Sequence, residues 1–130
     1  MSDSAARVTP MLCVANAAEA ITFYIEAFGA IEVTRIPEPD GRIMHAELTI
    51  NGAPVMLADE YPEIGVLGPK TIGGSPVLLL LEVPDVDTAF AHALATGATL
   101  NRPISGTTLR NGKLVDPFGH HWMILTRQQE

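Results

Sequence analysis

The sequence has little cysteine, few basic residues and no long apolar run. Its one cysteine among 130 residues, Cys13, excludes an internal disulfide and is typical of a reducing compartment, so we expect a cytoplasmic location. No apolar run reaches the roughly 20 residues of a membrane-spanning helix. The opening residues, MSDSAARV, do not show the basic and then apolar pattern of a secretory signal.

Basic side chains are both few and scattered. Eight Lys and Arg residues stand against fifteen Asp and Glu residues, which gives a net charge of −7. Proteins that bind nucleic acids or anionic membrane surfaces normally cluster their basic residues to neutralise phosphates. Because no such cluster occurs, we expect neither partner. Apolar residues make up 47% of the chain, enough for a folded core, so the expected partners are a small molecule and a second copy of this chain.

Helix and strand signals recur in the same order in both halves of the chain. Asn16 and Glu19 form a capping box at a helix start, and Gly29 ends that helix. Asp85 caps a second helix in the same way. The predicted strands are residues 7–14, 30–37, 42–50 and 53–58 in the first half, and residues 76–83, 98–104 and 120–126 in the second. The run at 76–83 is so apolar that we expect it to be buried on both faces.

Two Asn-Gly pairs, at residues 51–52 and 111–112, predict tight turns between strands. Sliding the chain on itself lays Val14-Ala15-Asn16 on Val83-Pro84-Asp85 and, after a small gap, Met56 on Met123. This is the pattern of an internal repeat. We therefore predict one domain, residues 1–130, with a first βαβββ module at 7–58, a connecting loop at 59–75 and a second βαβββ module at 76–127.

Several stretches resemble one known family. They are VTPMLCVANAAEAITFYIEAFGA, MHAEL, NGAPVMLADEYPE, GGSP and DPFGHHWMI. In combination they resemble the vicinal oxygen chelate superfamily, which includes glyoxalases, bleomycin-resistance proteins and dioxygenases, and within it the PhnB-like group. The resemblance implies an α+β fold in which two tandem βαβββ modules form a curled, open β-cup. It also implies that the ligand lies in that cup and that two chains pair into a homodimer.

Metal-dependent members of this superfamily hold one divalent ion with four strand residues. The resemblance places these four positions on Thr9, Glu47, Leu78 and Met123. Leu78 has no lone pair to donate, and a thioether is too soft for oxygen-seeking ions. Sites of this kind normally use about three protein ligands. We therefore expect no metal and no other cofactor, with a site rebuilt from His45, Glu47 and His121 as the alternative.

Polar and apolar residues alternate around His45 and Glu47, which places both side chains on one face of a strand. Three roles remain open for this pair: contact with a ligand, acid–base catalysis by Glu47, and a purely structural hydrogen-bonded pair. His121 shares a face with Met123, whereas Trp122 is expected in the core. The residues expected to line the ligand site are His45, Glu47, His121, Thr9, Met11, Leu78 and Met123. Cys13 and Met56 share this soft lining if their faces do, and His120 is expected in solvent.

The leading functional hypothesis is a small-molecule-binding protein of the glyoxalase/bleomycin-resistance type that has lost the family's metal site. The first alternative is an enzyme, either a glyoxalase-like lyase or isomerase with Glu47 as base, or a metalloenzyme with a rebuilt site. The second alternative is a resistance protein that sequesters an antibiotic. No residue pattern names the ligand, because family membership alone does not determine activity.

Overall fold

The computed structural model describes residues 5–126, which form two four-stranded sheets and three α-helices. The strands are β1 (Met11–Val14), β2 (Ile31–Pro37), β3 (Ile43–Ile50), β4 (Ala53–Asp59), β5 (Leu78–Val83), β6 (Thr99–Ser105), β7 (Asn111–Val115) and β8 (His121–Thr126). The helices are α1 (Ala17–Phe28), α2 (Pro69–Ile72) and α3 (Val86–Thr96), with a 3₁₀ turn at Pro62–Ile64. None of the helices described in this range is long and apolar enough to cross a membrane.

The two sheets have the same topology, so the predicted α+β repeat of two βαβββ modules is confirmed. The first sheet has the strand order β1-β4-β3-β2, and the second has β5-β8-β7-β6. In each sheet the first and last strands of the module run parallel, and the remaining neighbours run antiparallel. Asn51 and Gly52 turn the β3–β4 hairpin with φ of 52° and 86°, as the sequence predicts.

Both long helices begin and end where the sequence places their signals. The Asn16 side chain accepts a 3.1 Å hydrogen bond from the Glu19 amide, and Asp85 accepts one of 3.2 Å from Thr88. Gly29 closes α1 with φ of 72°, a left-handed conformation that suits glycine. These caps satisfy amide groups that would otherwise lack partners at the helix ends.

The two modules share one apolar core, and α1 and α3 pack against each other within it. Trp122 of β8 lies against α1, with its ring centroid 4.6 Å from that of Phe28 and 5.8 Å from that of Tyr24. The expected core position of Trp122 is therefore confirmed, since only 3% of its surface is exposed. Because each sheet packs on its helix, the opposite face of each sheet points away from this shared core.

Two sequence-based expectations about the strands are wrong in detail. Strand β1 begins at Met11 rather than at residue 7, because Pro10 has no amide hydrogen and contributes only its carbonyl, which accepts from Met56. Asn111 and Gly112 begin strand β7 instead of forming a turn. Gly112 is needed there for packing, since a Cβ at this position would lie 2.8 Å from the Phe90 ring.

Strand β5 is also less buried than its composition predicts. Leu80 is 58% exposed and Val77, just before the strand, is 57% exposed. Leu79 and Leu81 pack on the core, so only one face of the strand is covered. The other face belongs to a sheet surface that nothing in the described part of the single chain covers fully.

Candidate functional site

Each sheet has a face opposite its helix, which we call its open face. In β3 the alternation is clear, because Ala46, Leu48 and Ile50 are buried whereas His45 and Glu47 are partly exposed. The strand registers extend this assignment to neighbouring strands. The first open face carries Met11, Cys13, Thr34, Ile36, His45, Glu47, Thr49 and Met56. The predicted pair of His45 and Glu47 therefore lies on one surface.

Glu47 lies at the centre of the first open face. In register it sits beside Met56 on β4 and Thr34 on β2, and Met56 in turn pairs with Met11 on β1. His45 lies one step along β3, next to Ile36. A carboxylate, an imidazole and hydroxyl groups thus stand among apolar side chains, which is the usual make-up of a small-molecule site.

The second open face is built in the same way from the second module. His121 and Met123 of β8 lie on it, and they pair with Leu78 and Leu80 of β5. On the other side of β8, Met123 pairs with Lys113 of β7. The expectation that His121, Met123 and Leu78 share a surface agrees with this register, but they lie on a different sheet from His45 and Glu47.

Lys113 and Arg102 are site candidates that sequence reasoning missed. Arg102 of β6 pairs in register with Lys113, and its guanidinium donates to Asn111 Oδ1 and to Ser105 Oγ, the latter at 3.1 Å. The alternation of polar and apolar residues along β7 does not predict a strand, because Asn111 and Gly112 predict a turn there. A strand-by-strand comparison of the two modules would have identified Lys113, since Lys113 pairs with Met123 in the second module as Glu47 pairs with Met56 in the first.

The four positions that the family resemblance assigns to a metal do not form a competent donor set. Thr9 precedes β1 and lies outside the ladder, so it is not placed on the open face by any strand pairing. Leu78 has no donor atom, and Met123 offers only a thioether. Within residues 5–126, no three His, Cys, Asp or Glu side chains gather into a group that could hold a metal ion. The carboxylate of Glu47 stands alone among the four positions.

Cys13 lies where the connecting segment folds over β1. Burial raises the pKa of its thiol, and the negative charges of Glu60 and Asp59 raise it further. Gly68 approaches so closely that a Cβ there would meet the Cys13 carbonyl oxygen at 2.9 Å. The sequence offers no nearby basic residue to activate this thiol, and the structure shows a neighbourhood that suppresses the thiolate.

His120 is not in solvent, contrary to expectation. Only 9% of its surface is exposed, and its Nε2 lies 2.9 Å from the carbonyl oxygen of Cys13. The DPFG turn directs this ring inward, toward the connecting segment. His120, Cys13 and Met11 line a groove of about 260 Å³ together with residues of that segment.

Two buried carboxylates hold the framework around the open faces, and neither was predicted. Asp59, at the end of β4, accepts hydrogen bonds from the amides of Ala17 at 2.9 Å and Ile43 at 2.7 Å. Asp116 accepts bonds from the amides of Phe118 and His120 and from two side chains of the core. Buried acidic groups of this kind are satisfied by their partners and need no ligand.

The comparison with family models decides the relationship. The model described as the Glyoxalase/Bleomycin resistance protein/Dioxygenase superfamily matches residues 6–124. The chain belongs to this superfamily. The match spans both modules, so the repeat seen in the fold is the repeat of the family, which the sequence resemblance had indicated.

Similar proteins and solved structures extend this superfamily relationship. An uncharacterized protein of Mycobacterium bovis is 44% identical over 122 residues, which cover 90% of this chain and 80% of that protein. A solved gene product of Arabidopsis thaliana is 28% identical, with 93% of this chain and 98% of that chain covered and a TM-score of 0.73. A solved PhnB protein from Bacillus cereus, titled a putative 3-demethylubiquinone-9 3-methyltransferase, is 23% identical with a TM-score of 0.69 and coverage of 94% and 100%, which shows a shared fold.

Proposed function

We propose that this superfamily member is a homodimeric small-molecule-binding protein that works without a bound metal. The observation that carries the proposal is the pair of open faces. Each presents methionine and aliphatic side chains around a few polar groups, and Met11 and Leu80 are 53% and 58% exposed in the single chain. Soluble chains seldom leave such surfaces uncovered unless a partner or ligand covers them.

The partner proposed for each open face is the opposite open face of a second copy. The first face carries the Glu47 carboxylate, and the second carries Lys113 and Arg102 at matching positions. Opposite charges favour contact between unlike faces, whereas like faces would bring equal charges together. A twofold axis satisfies both pairings at once, because the first face of each protomer then meets the second face of the other. Two closed cups result.

The donor set argues for binding without metal-assisted chemistry. A Lewis-acid or oxygen-binding centre needs about three protein ligands, and only Glu47 of the four family positions offers a suitable one. Glu47 can still contact a ligand by hydrogen bonding. The lyase or isomerase alternative would use this carboxylate as a base, and it predicts turnover of a carbonyl substrate that disappears in Glu47→Gln.

Sedimentation of open-face variants tests the dimer. We expect the parent chain to sediment as a dimer and Leu80→Asp to sediment as a monomer, because the new charge would be buried in the pair interface. Ile64→Asp is the matched control, since Ile64 is 73% exposed outside both sheets. A parent chain that remains monomeric at high concentration would overturn the dimeric arrangement.

Thermal-shift measurements against a panel of small molecules test the binding function. A ligand selective for the folded state raises the melting temperature, and the increase grows with the ratio of the free ligand concentration to its dissociation constant. The panel includes antibiotics, because one solved structure of the same fold is titled a fosfomycin resistance protein from Mesorhizobium loti. Stabilisation that is lost in Met123→Arg but retained in Ile64→Asp would support the cup as the binding site.

A further inference from the structure

The two modules carry opposite charge at equivalent places of their open faces. In the first module, β1, β4 and β3 contribute Met11, Met56 and Glu47 to one row of register partners. In the second module, β5, β8 and β7 contribute Leu80, Met123 and Lys113 to the corresponding row. The first two residues of the row are therefore apolar in both modules. The third residue carries a carboxylate in the first module and an ammonium group in the second.

A second basic group extends the row in the second module. Arg102 follows Lys113 on β6, where the first module has Thr34 on β2. The Arg102 guanidinium is held by neutral acceptors, namely the side chains of Asn111 and Ser105 and the carbonyl of Pro103. These bonds fix its orientation, and none of them is to a carboxylate that would neutralise its charge. A fixed guanidinium beside an ammonium group is a typical receptor for a carboxylate or phosphate.

Within residues 5–126, neither Glu47 of the first open face nor Lys113 and Arg102 of the second form an ion pair. The ion pairs formed within residues 5–126 are Arg35–Glu32, Arg42–Asp40, Arg42–Glu63 and Arg110–Asp87. All four lie away from the two rows. Glu82, the acidic residue of β5, lines a groove with Asn51 and Ala53 and pairs in register with Leu125 rather than with Met123.

We infer that the ligand of the proposed cup is a zwitterion: an anionic group contacts Lys113 and Arg102, an amine contacts Glu47, and an apolar body between them packs on Met56 and Met123. The inference rests on the proposed function, since it requires that the two open faces enclose one ligand. It also limits the ligand class. A purely cationic ligand would leave the positive charges of Lys113 and Arg102 desolvated and unpaired on the second open face. A purely anionic ligand would leave the Glu47 carboxylate unpaired on the first.

Four probes of equal chain length separate the contributions: 6-aminohexanoate, hexanoate, hexylamine and hexanol. Their dissociation constants are measured by NMR titration of the full chain and of Lys113→Gln, Arg102→Gln and Glu47→Gln. We expect 6-aminohexanoate to bind most tightly. Lys113→Gln and Arg102→Gln should each weaken 6-aminohexanoate and hexanoate about tenfold, and Glu47→Gln should weaken 6-aminohexanoate and hexylamine by a similar factor.

Control variants remove the same charges elsewhere. Arg7→Gln and Glu26→Gln each neutralise an exposed side chain outside the eight strands, and they should leave all four dissociation constants within about twofold. A longer and a shorter amino acid of the same series, 8-aminooctanoate and 4-aminobutyrate, complete the set of probes. The chain length that binds most tightly indicates the distance between Glu47 and the basic pair of Lys113 and Arg102.

Three results would overturn the inference, and they differ in what they say about the cup. If hexanol binds as tightly as 6-aminohexanoate and the charge variants leave the dissociation constants unchanged, the proposed cup is supported but the preference for a zwitterion is wrong. If Glu47→Gln and Lys113→Gln each lower the melting temperature of the unliganded dimer, and the double variant lowers it no further, the two charges pair with each other instead. If no probe binds although the thermal-shift panel yields a ligand, the binding function is kept and the zwitterion inference is wrong, whereas failure of both experiments overturns both.

Discussion

The hydroxyl of Tyr24 in the first module donates a 2.5 Å hydrogen bond to Oδ2 of Asp116 in the second. The same oxygen accepts a 3.0 Å bond from the indole nitrogen of Trp122. Burial raises the pKa of Tyr24 well above its ordinary value, and the charge of Asp116 raises it further. Helices α1 and α3 pack together close by, so this polar cluster joins the two modules at the centre of the apolar core.

Replacing Tyr24 with Phe should lower the free energy of unfolding at neutral pH by about 1–3 kcal/mol, since Asp116 would lose a buried donor. The variant should also flatten the stability profile in alkali. The folded parent holds the phenol proton more tightly than the unfolded chain does, so its Tyr24 contribution is complete below about pH 10 and is lost as the pH rises toward the folded pKa. Urea unfolding between pH 7 and pH 11 measures both effects.

Tyr61→Phe is the control for this experiment. Its hydroxyl donates a 2.6 Å bond to Glu38, which raises the pKa of Tyr61 to about 12, but this tyrosine is only partly buried. Solvent screens such a pair, so its removal should change stability little. An alkaline loss of stability that is as steep in Tyr24→Phe as in the parent chain would contradict the assignment to Tyr24.

Asp59→Ala should cost about 2–4 kcal/mol, because its carboxylate satisfies the first amide of α1 and the first amide of β3. Asp59→Asn keeps one acceptor oxygen and should cost less. Chemical denaturation with an unchanged m-value checks the difference. Asp40→Ala is the comparison, since the exposed Asp40 carboxylate accepts its hydrogen bonds from Arg42 in the described part of the chain. Equal losses in Asp59→Ala and Asp40→Ala would contradict the framework role of Asp59.

Local signals in the sequence were sufficient for most of the fold. The caps at Asn16 and Asp85 and the turn at Asn51-Gly52 depend on chemistry within a few residues, and the structure reproduces each of them. The second Asn-Gly pair failed because a distant residue decides it. Gly112 packs so closely against the ring of Phe90 on α3 that a side chain would not fit, and no local sequence pattern predicts that contact.

Only the first open face of the candidate site was predictable from the sequence. Alternation along β3 was enough to place His45 and Glu47 on one face. The second open face depends on the register of β7 with β8 and β6, which brings Lys113 beside Met123 and Arg102. Sequence spacing does not give that register, because β6 carries irregularities on both sides of Arg102.

Alkylation of Cys13 should be slow at neutral pH and should accelerate only above the pH at which a free cysteine reacts. The thiolate is the reacting form, and burial together with Glu60 and Asp59 raises the pKa of this thiol. Iodoacetamide labelling followed by mass spectrometry gives the rate as a function of pH. The chain unfolded in urea provides the reference, and an equal pH profile in the folded and unfolded chain would contradict the shift.

Metal content provides the last prediction. Protein dialysed against Zn²⁺, Ni²⁺, Mn²⁺ or Fe²⁺ and then against buffer should retain far less than one ion per chain, because only Glu47 of the four family positions carries a suitable donor. Elemental analysis of the folded protein measures this directly. Leu78→His combined with Met123→Glu restores two donors on the second sheet and should raise retention if the two open faces meet across the pair. One tightly held ion per parent chain, lost in Glu47→Ala, would contradict this prediction and favour the alternative of a rebuilt site that uses Glu47 with His45 and His121.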